Sequence, residues 1–270
     1  MGKFSGVGLG LSLALLVTWF AFIATPKAQT SSAQTARNPV VVELFTSEGC
    51  SSCPSADRLL QKLEARGEIA GAQIIALEEH VDYWNHDGWV DPYSSPEWTG
   101  RQEAYVAVAN NDPYTPELVV DGRRQFVGND ASQAESEIAK AARDVKTQVS
   151  ITAGPLAAKG EQSFSVSVGR LEDSHPGDTA EVWLAVTEDG LHSSVDRGEN
   201  AGRVLQHVAT LRTLRKIGVA DASAVQESFQ GNSVVKLNPR WDLKNVRVTV
   251  FVQYKRGREI LGAAATRING

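Results

Sequence analysis

The chain has 270 residues, 42% hydrophobic and 22% charged, a globular composition with enough apolar mass for a sizeable core, which excludes disorder over most of its length. Its 27 basic and 32 acidic side chains leave a net charge of -5, and no block of Lys or Arg would follow a phosphate backbone. A nucleic-acid partner is therefore not expected.

At the N-terminus, Lys3 precedes an apolar or small run from Leu9 to Ala24, after which the chain turns polar up to Asn38. A short charged region, an apolar stretch and a small-residue exit are the layout of a secretory signal, here assigned to residues 1–33. The run is shorter than the roughly 20 residues of an ordinary spanning helix, which ranks an uncleaved anchor second. The rest of the chain is expected to work in the periplasm or outside the cell, with a membrane partner only if that segment stays attached.

The only two cysteines, Cys50 and Cys53, stand three positions apart in "VVVELFTSEGCSSCP", residues 40–54. Two cysteines are too few for a disulfide scaffold in an oxidising compartment, and the loop they would close is too small to add much stability. A four-thiolate zinc site is excluded within one chain. The spacing points to redox use.

Local pattern supports this. Val40, Val41, Val42, Leu44 and Phe45 read as a strand buried on both faces. Ala56, Leu59, Leu60 and Leu63 form one stripe of a helix that starts near Pro54 and stops at Gly67. Cys50 is thereby expected in an exposed loop, facing the positive pole of the helix, with Cys53 sheltered in the first turn. An accessible thiolate attacks and a sheltered thiol resolves, so the pair is expected to act on a protein or small-molecule thiol or disulfide and to need a separate redox partner.

Further on, Ile74 to Leu77 reads as a second buried strand, followed by an aromatic and acidic insertion over residues 80–111. Ser95-Pro96-Glu97 opens a helix there that runs to about Asn110. Trp84 and Trp89, with Tyr114 beyond the insertion, are candidate walls of a substrate groove. His80, Asp82, His86 and Asp87 are too loosely spaced to make a metal signature, and no metal or other cofactor is expected. The segments 117–120 and 124–127 form a hairpin about Asp121-Gly122, and Ala134, Ile138, Ala141 and Ala142 mark a further helix.

The succession of strand, Cys-x-x-Cys, helix, strand, Thr-Pro hairpin and helix resembles the thioredoxin fold. That resemblance implies a cis Thr115-Pro116 bond lying against the disulfide, with Thr115 presenting backbone to the substrate. Gly49 stands where thioredoxins usually carry Trp, and Pro54 follows the second cysteine rather than falling between the two. Glu43 lies one residue farther from Cys50 than the buried acid of thioredoxins, and a longer loop would bring it to Cys53 as a proton acceptor. More narrowly, "VELFTSEGCSSCPSAD", "HVDYWNHDGWVDPYSSPEW", "YTPELVVDG" and "RGENAGR" together resemble an exported bacterial family catalogued as domain of unknown function 1223. This likeness implies a thioredoxin-like architecture and leaves the biological task open.

After about Lys146 the pattern changes to short period-two segments at 149–151, 164–168, 182–186, 204–211, 234–235, 246–252 and 260–261, separated by Gly, Pro and Asp. The fold class expected is an α/β thioredoxin-like domain over residues 38–146, followed by an all-β sandwich-like domain over 147–270. The loop "EDGLHSSVDRGENAGR", 188–203, is polar enough to be a site and Gly-rich enough to be a self-bonded turn. The function expected is a thiol-disulfide oxidoreductase. The alternative is an envelope protein that holds copper or a partner through Cys50, Cys53 and His80 without catalysis.

Overall fold

Val40, Val41, Val42, Leu44 and Phe45 are all fully buried because the strand they form, β1 (Asn38–Thr46), lies inside a sheet covered on both faces. The computed structural model describes residues 1–4, 6, 37–86, 88–157, 160–172, 175 and 177–268. The apolar run from Leu9 to Ala24 and Asp87 lie outside the described residues. Among the described residues, no helix is long and apolar enough to cross a membrane.

After β1 come α1 (Cys53–Arg66), β2 (Glu68–Ile69), β3 (Ala72–His80), α2 (Pro96–Ala109), β4 (Glu117–Val120), β5 (Arg124–Val127) and α3 (Ala131–Ala141). The remainder is β6 (Val149–Ala157), β7 (Glu161–Gly169), β8 (Ala180–Glu188), β9 (Leu191–Ser194), β10 (Val204–His207), β11 (Thr210–Val219), β12 (Glu227–Lys236), β13 (Val246–Tyr254) and β14 (Ile260–Arg267). The caps are those the sequence calls for: Ser95 accepts from the Glu97 amide at the start of α2, and Gly67 ends α1 in a left-handed conformation. The β4–β5 turn puts Asp121 and Gly122 at φ 49° and 69°, the positive values that suit a tight hairpin.

One nine-stranded mixed sheet runs in the order β14-β13-β8-β11-β3-β1-β4-β5, with β2 pairing on β3. β1 pairs β3 in parallel from Asn38↔Ala72 to Thr46↔His80. β11 joins β3 in parallel at Thr210↔Glu78, which carries the sheet into the second half of the chain. A separate three-stranded sheet, β12-β7-β6, lays Phe164, Val166 and Val168 against Val182, Leu184 and Val186 of β8 and the even-numbered valines of β13.

Alternation along β1 and β3 sets two faces. Val40, Val42, Leu44, Ile74 and Ala76 pack against α1 and α3. Val41, Ile75 and Leu77 face Trp98, Ala185, Leu211 and Phe251 on the other side.

The expected α/β thioredoxin-like domain with a separate all-β sandwich behind it is not what the chain forms. Among the described residues there are fourteen strands against three α-helices, and strands from both halves share the large sheet. The reason is that β3 has a free edge, and its apolar face needs cover that the first half supplies only in part. β8, β11 and β13 supply the rest. The segment read as one strand over 204–211 is split by Ala209 at φ 49° into β10 and β11.

Because Phe251 is fully buried against Val41, Ile75 and Leu77, Phe251→Ala is expected to cost about 3–5 kcal/mol. Amide exchange should speed up in β1 and β3 as well as in β8 and β13. Faster exchange confined to β8 and β13 would show that the two halves are not coupled through this core.

Candidate functional site

β1 ends at Thr46, and the backbone turns through Ser47 to Gly49 into the cysteine loop. Cys50 and Cys53 are joined in a disulfide, with Cα atoms 5.4 Å apart. Cys53 opens α1, with Pro54 in its first turn and no acidic side chain there to offset the helix dipole. Cys50 is 1% exposed and Cys53 0%. The expectation of an open Cys50 is thus corrected: only Ser51 and Ser52 of the loop reach solvent.

The cover comes from the second half. Asn200, itself fully buried, donates from Nδ2 to the carbonyls of Glu48 at 2.8 Å and Cys50 at 2.9 Å, while its Oδ1 accepts from Arg203 Nη1 at 2.9 Å. Glu199 Oε2 accepts the Ser51 amide at 2.9 Å, and the Ser51 hydroxyl together with that amide holds the Glu199 pKa below its usual value. Residues 195–203 are folded on themselves by backbone bonds such as Gly202 to Val195 and Arg203 to Asn200. The loop is therefore both a self-bonded turn and a latch on the cysteine loop. On the other side, a Cβ on Gly49 would lie 3.0 Å from Trp84 Cβ and 3.1 Å from the Trp84 carbonyl, a clearance that glycine satisfies best.

Behind the disulfide lies a buried ionisable network on the α1 face of the sheet. Asp57, one turn after Cys53, accepts from Thr46 Oγ1 at 2.6 Å. Burial and the Glu78 carboxylate push Asp57 up to about 7. Glu78 Oε1 faces His207 Nδ1 at 3.3 Å, and Glu78 Oε2 accepts from Thr210 at 3.0 Å. His207 Nε2 meets Glu48 Oε1 at 3.0 Å, and Glu48 Oε2 accepts from Trp89 Nε1 at 2.8 Å. His80 Nδ1 meets Asp91 Oδ2 at 2.7 Å.

Burial works against charge on His207 and on Glu78, but their pairing outweighs it. His207 is held up to about 9, with Glu48 assisting, and Glu78 down to about 2. Burial likewise opposes charge on His80, yet Asp91 and Glu78 keep its pKa well above the usual value.

Glu43 is not beside Cys53. As an odd-numbered residue of β1 it faces the opposite side of the sheet from α1, where Arg101 Nε donates to it at 2.7 Å and Tyr105 Oη at 2.5 Å. Glu79 shares that pocket; burial and neighbouring Glu43 raise its pKa well above normal, with Arg101 as its counter-charge at 3.4 Å. The buried acid on the cysteine side is Asp57.

Thr115-Pro116 is cis. The β1–β4 register, ending at Phe45↔Glu117, carries this bond to the end of β1 just before the cysteine loop. Trp84 ties it there by donating from Nε1 to Thr115 Oγ1 at 2.7 Å. Trp84, Trp89 and Tyr114 are half-buried rather than set in one open groove, and Gln102 fixes Tyr114 by donating to its carbonyl at 2.7 Å. Asp82 is engaged with Thr99, His86 is exposed, and His80 joins the network.

A family model described as protein of unknown function (DUF1223) matches residues 41–253, a span that holds every residue of this site. The chain belongs to the DUF1223 family. Its structure is similar to the crystal structure of protein AGR_C_4864 from Agrobacterium tumefaciens, with a TM-score of 0.61 and 25% identity over 86% of this chain and 97% of that one. In fold it is also similar to HBP35 of Porphyromonas gingivalis, with a TM-score of 0.60 and 15% identity over 86% of this chain and 76% of that one. No curated protein matches.

In this DUF1223 chain, sequence reasoning missed Asp57, Glu78, Asp91 and His207. The available signal was polarity where burial was expected: "LEEH" continues an apolar strand run, and Asp57 interrupts the apolar stripe of α1.

Two outcomes test this geometry. Asn200→Ala strips two buried carbonyls of their donor, so it is expected to cost about 1–3 kcal/mol and to speed reduction of the disulfide by dithiothreitol several-fold. The rate is read by alkylation and mass, and an unchanged rate would show that the loop does not gate the disulfide. Asp57 ionises near 3.8 when unfolded and near 7 in the fold, so its contribution to stability is full below pH 3.8 and lost as pH rises through 7. Relative to wild type, Asp57→Asn, which keeps an acceptor for Thr46, should stabilise the protein by about 2–3 kcal/mol more near pH 8 than near pH 5. Equal urea-midpoint shifts at the two pH values would show that Asp57 titrates normally.

Proposed function

We propose that this protein is an exported thiol-disulfide oxidoreductase of the cell envelope, with Cys50 as the sulfur attacked and Cys53 as the leaving and resolving sulfur. The observation that carries the reading is the Cys50–Cys53 disulfide at the N-terminus of α1, backed by a buried acid one turn away. The helix pole stabilises a thiolate at this position, and lower thiol pKa makes a better leaving group. Its expected partners are a thiol-bearing substrate and a separate protein that resets the pair.

Written for the disulfide form, a substrate thiolate attacks Cys50 Sγ. A substrate–Cys50 bond forms, the Cys50–Cys53 bond breaks, and the electron pair passes to Cys53 Sγ, which takes a proton from Asp57 or water. A second substrate thiolate then attacks its own sulfur in the mixed disulfide and releases Cys50. The substrate loses two electrons and two protons and leaves as a disulfide, and the protein gains them as a dithiol. The reverse sequence reduces a substrate disulfide and uses the same groups.

Cys50 is assigned the attack because it precedes the helix, under a cover held by hydrogen bonds. Cys53 is enclosed by α1 itself. The experiment is trapping in cells quenched with acid, followed by non-reducing electrophoresis and mass identification. Cys53→Ala should accumulate mixed disulfides through Cys50, and Cys50→Ala should accumulate few. Adducts absent from both variants, or equal in both, would overturn the assignment.

A further inference from the structure

Glu78, His80 and His207 share the interior behind the disulfide, each fully or almost fully buried, and one donor atom from each lies within 4.8 Å of the others. We propose that these three residues bind a divalent transition-metal ion of the zinc class, without the cysteines. The site lies outside the redox reading above and does not depend on it.

Spacing is the first argument. Zinc bonds of about 2.0–2.1 Å in a tetrahedral arrangement set ligand atoms about 3.3 Å apart. His207 Nδ1 is 3.3 Å from Glu78 Oε1, and His80 Nε2 is 3.5 Å from Glu78 Oε2. The two distances end on different oxygens of the same carboxylate, so each histidine nitrogen reaches Glu78 at close to the required separation, and one donor atom from each of the three residues lies within 4.8 Å of the others. The rings meet edge to face, with centroids 4.6 Å apart.

The second argument is an orphaned donor. His80 Nε2 is buried and has no hydrogen-bond partner, its contact with Glu78 Oε2 at 3.5 Å being an ion-pair distance only. A buried polar atom left unpaired is costly, and a metal bond at that nitrogen would remove the cost.

Third, the far nitrogen of each imidazole is already held by a carboxylate. His80 Nδ1 is on Asp91, which also accepts from the amides of Glu48 and Tyr93. His207 Nε2 is on Glu48, itself held by Trp89. Carboxylate-to-histidine contacts of this kind fix the ring and raise the basicity of the nitrogen that binds metal. Glu78 is oriented in turn by Thr210.

Charge agrees. Asp57, Glu78, Glu48 and Asp91 surround the two imidazoles, and among the described residues no Lys or Arg is bonded to any of them. His207 also lines a cavity of about 360 Å³ bounded by Gln61, Gly190, His192 and Gln206. A donor set of two imidazoles and one carboxylate suits zinc and leaves a fourth position for water or a ligand.

The test is metal binding by the full chain with its disulfide intact. After incubation with zinc and dialysis, elemental analysis should give one equivalent. Cobalt in its place should give the intense visible absorption of a four-coordinate site without a thiolate charge-transfer band. The Cys50→Ser/Cys53→Ser variant should bind equally well, which separates this site from the redox pair. His80→Asn keeps a group for Asp91 but removes the Nε2 ligand, and should weaken zinc at least 100-fold; Asp91→Asn should weaken it about 10–100-fold. Circular dichroism checks that both variants fold. If either variant fails to fold, the zinc-dependent rise in the wild-type unfolding midpoint decides. Absence of zinc binding by wild type at micromolar concentration, unchanged affinity in a folded His80→Asn, or loss of binding in the double cysteine variant would each overturn the proposal.

Discussion

Three ionisable residues in succession, Glu78, Glu79 and His80, are buried at the end of β3, and most of the structure around the disulfide answers to that burial. An unpaired charge in such a place costs several kcal/mol, so each must find a partner or give up its charge. Strand alternation sends them to different sides. Glu79 goes with Glu43 to the α2 face, where Arg101, Tyr105 and Gln253 form a bonded cluster. Glu78 and His80 go to the α1 face, where the described residues of the first half of the chain offer acids and one imidazole but no Lys or Arg bonded to them.

The missing base is His207, and this explains why the second half of the chain is part of the site. β10 ends in His207, the left-handed turn at Ala209 follows, and the Ala209 carbonyl accepts the Glu78 amide at 2.9 Å. One turn thus delivers the imidazole to Glu78 and starts β11 along the edge of β3. The shared sheet and the polar network are two consequences of the same bend. A docking module attached by a linker would have no need of this continuity.

The local elements were legible in the sequence because their signals are local. The apolar run of β1, the Pro54-to-Gly67 limits of α1, Ser95 before α2 and Asp121-Gly122 between β4 and β5 each depend on residues a few positions apart. What depends on strand pairing between distant residues was not legible. Period-two segments such as Val246 to Val252 read as strands, but nothing in that period states which strand lies alongside, and a free edge on β3 is invisible without the pairing. Glu43 failed for a related reason, since counting along the chain from Cys50 does not say which face of β1 the carboxylate takes. Asn200 was visible as part of a polar Gly-rich loop, but its target, two carbonyls about 150 positions earlier, was not.

The polarity of the cover over Cys50 bears on how a buried disulfide reacts. A lid of apolar side chains would lose about 25 cal/mol for each Å² it exposed on opening. The 195–203 loop is held over the cysteine loop chiefly by Asn200 and Glu199, whose groups exchange protein hydrogen bonds for water when they separate. Such an exchange costs only about 0.5–1.5 kcal/mol per bond, because the free groups are solvated at once. The internal bonds of the loop, from Val195 to Arg203, are separate from the bonds that hold it to the cysteine loop. On the other side Trp84 packs against Gly49 and donates to Thr115. Of the two cysteines, Cys50 is the one whose carbonyl Asn200 holds, while Cys53 lies inside the first turn of α1.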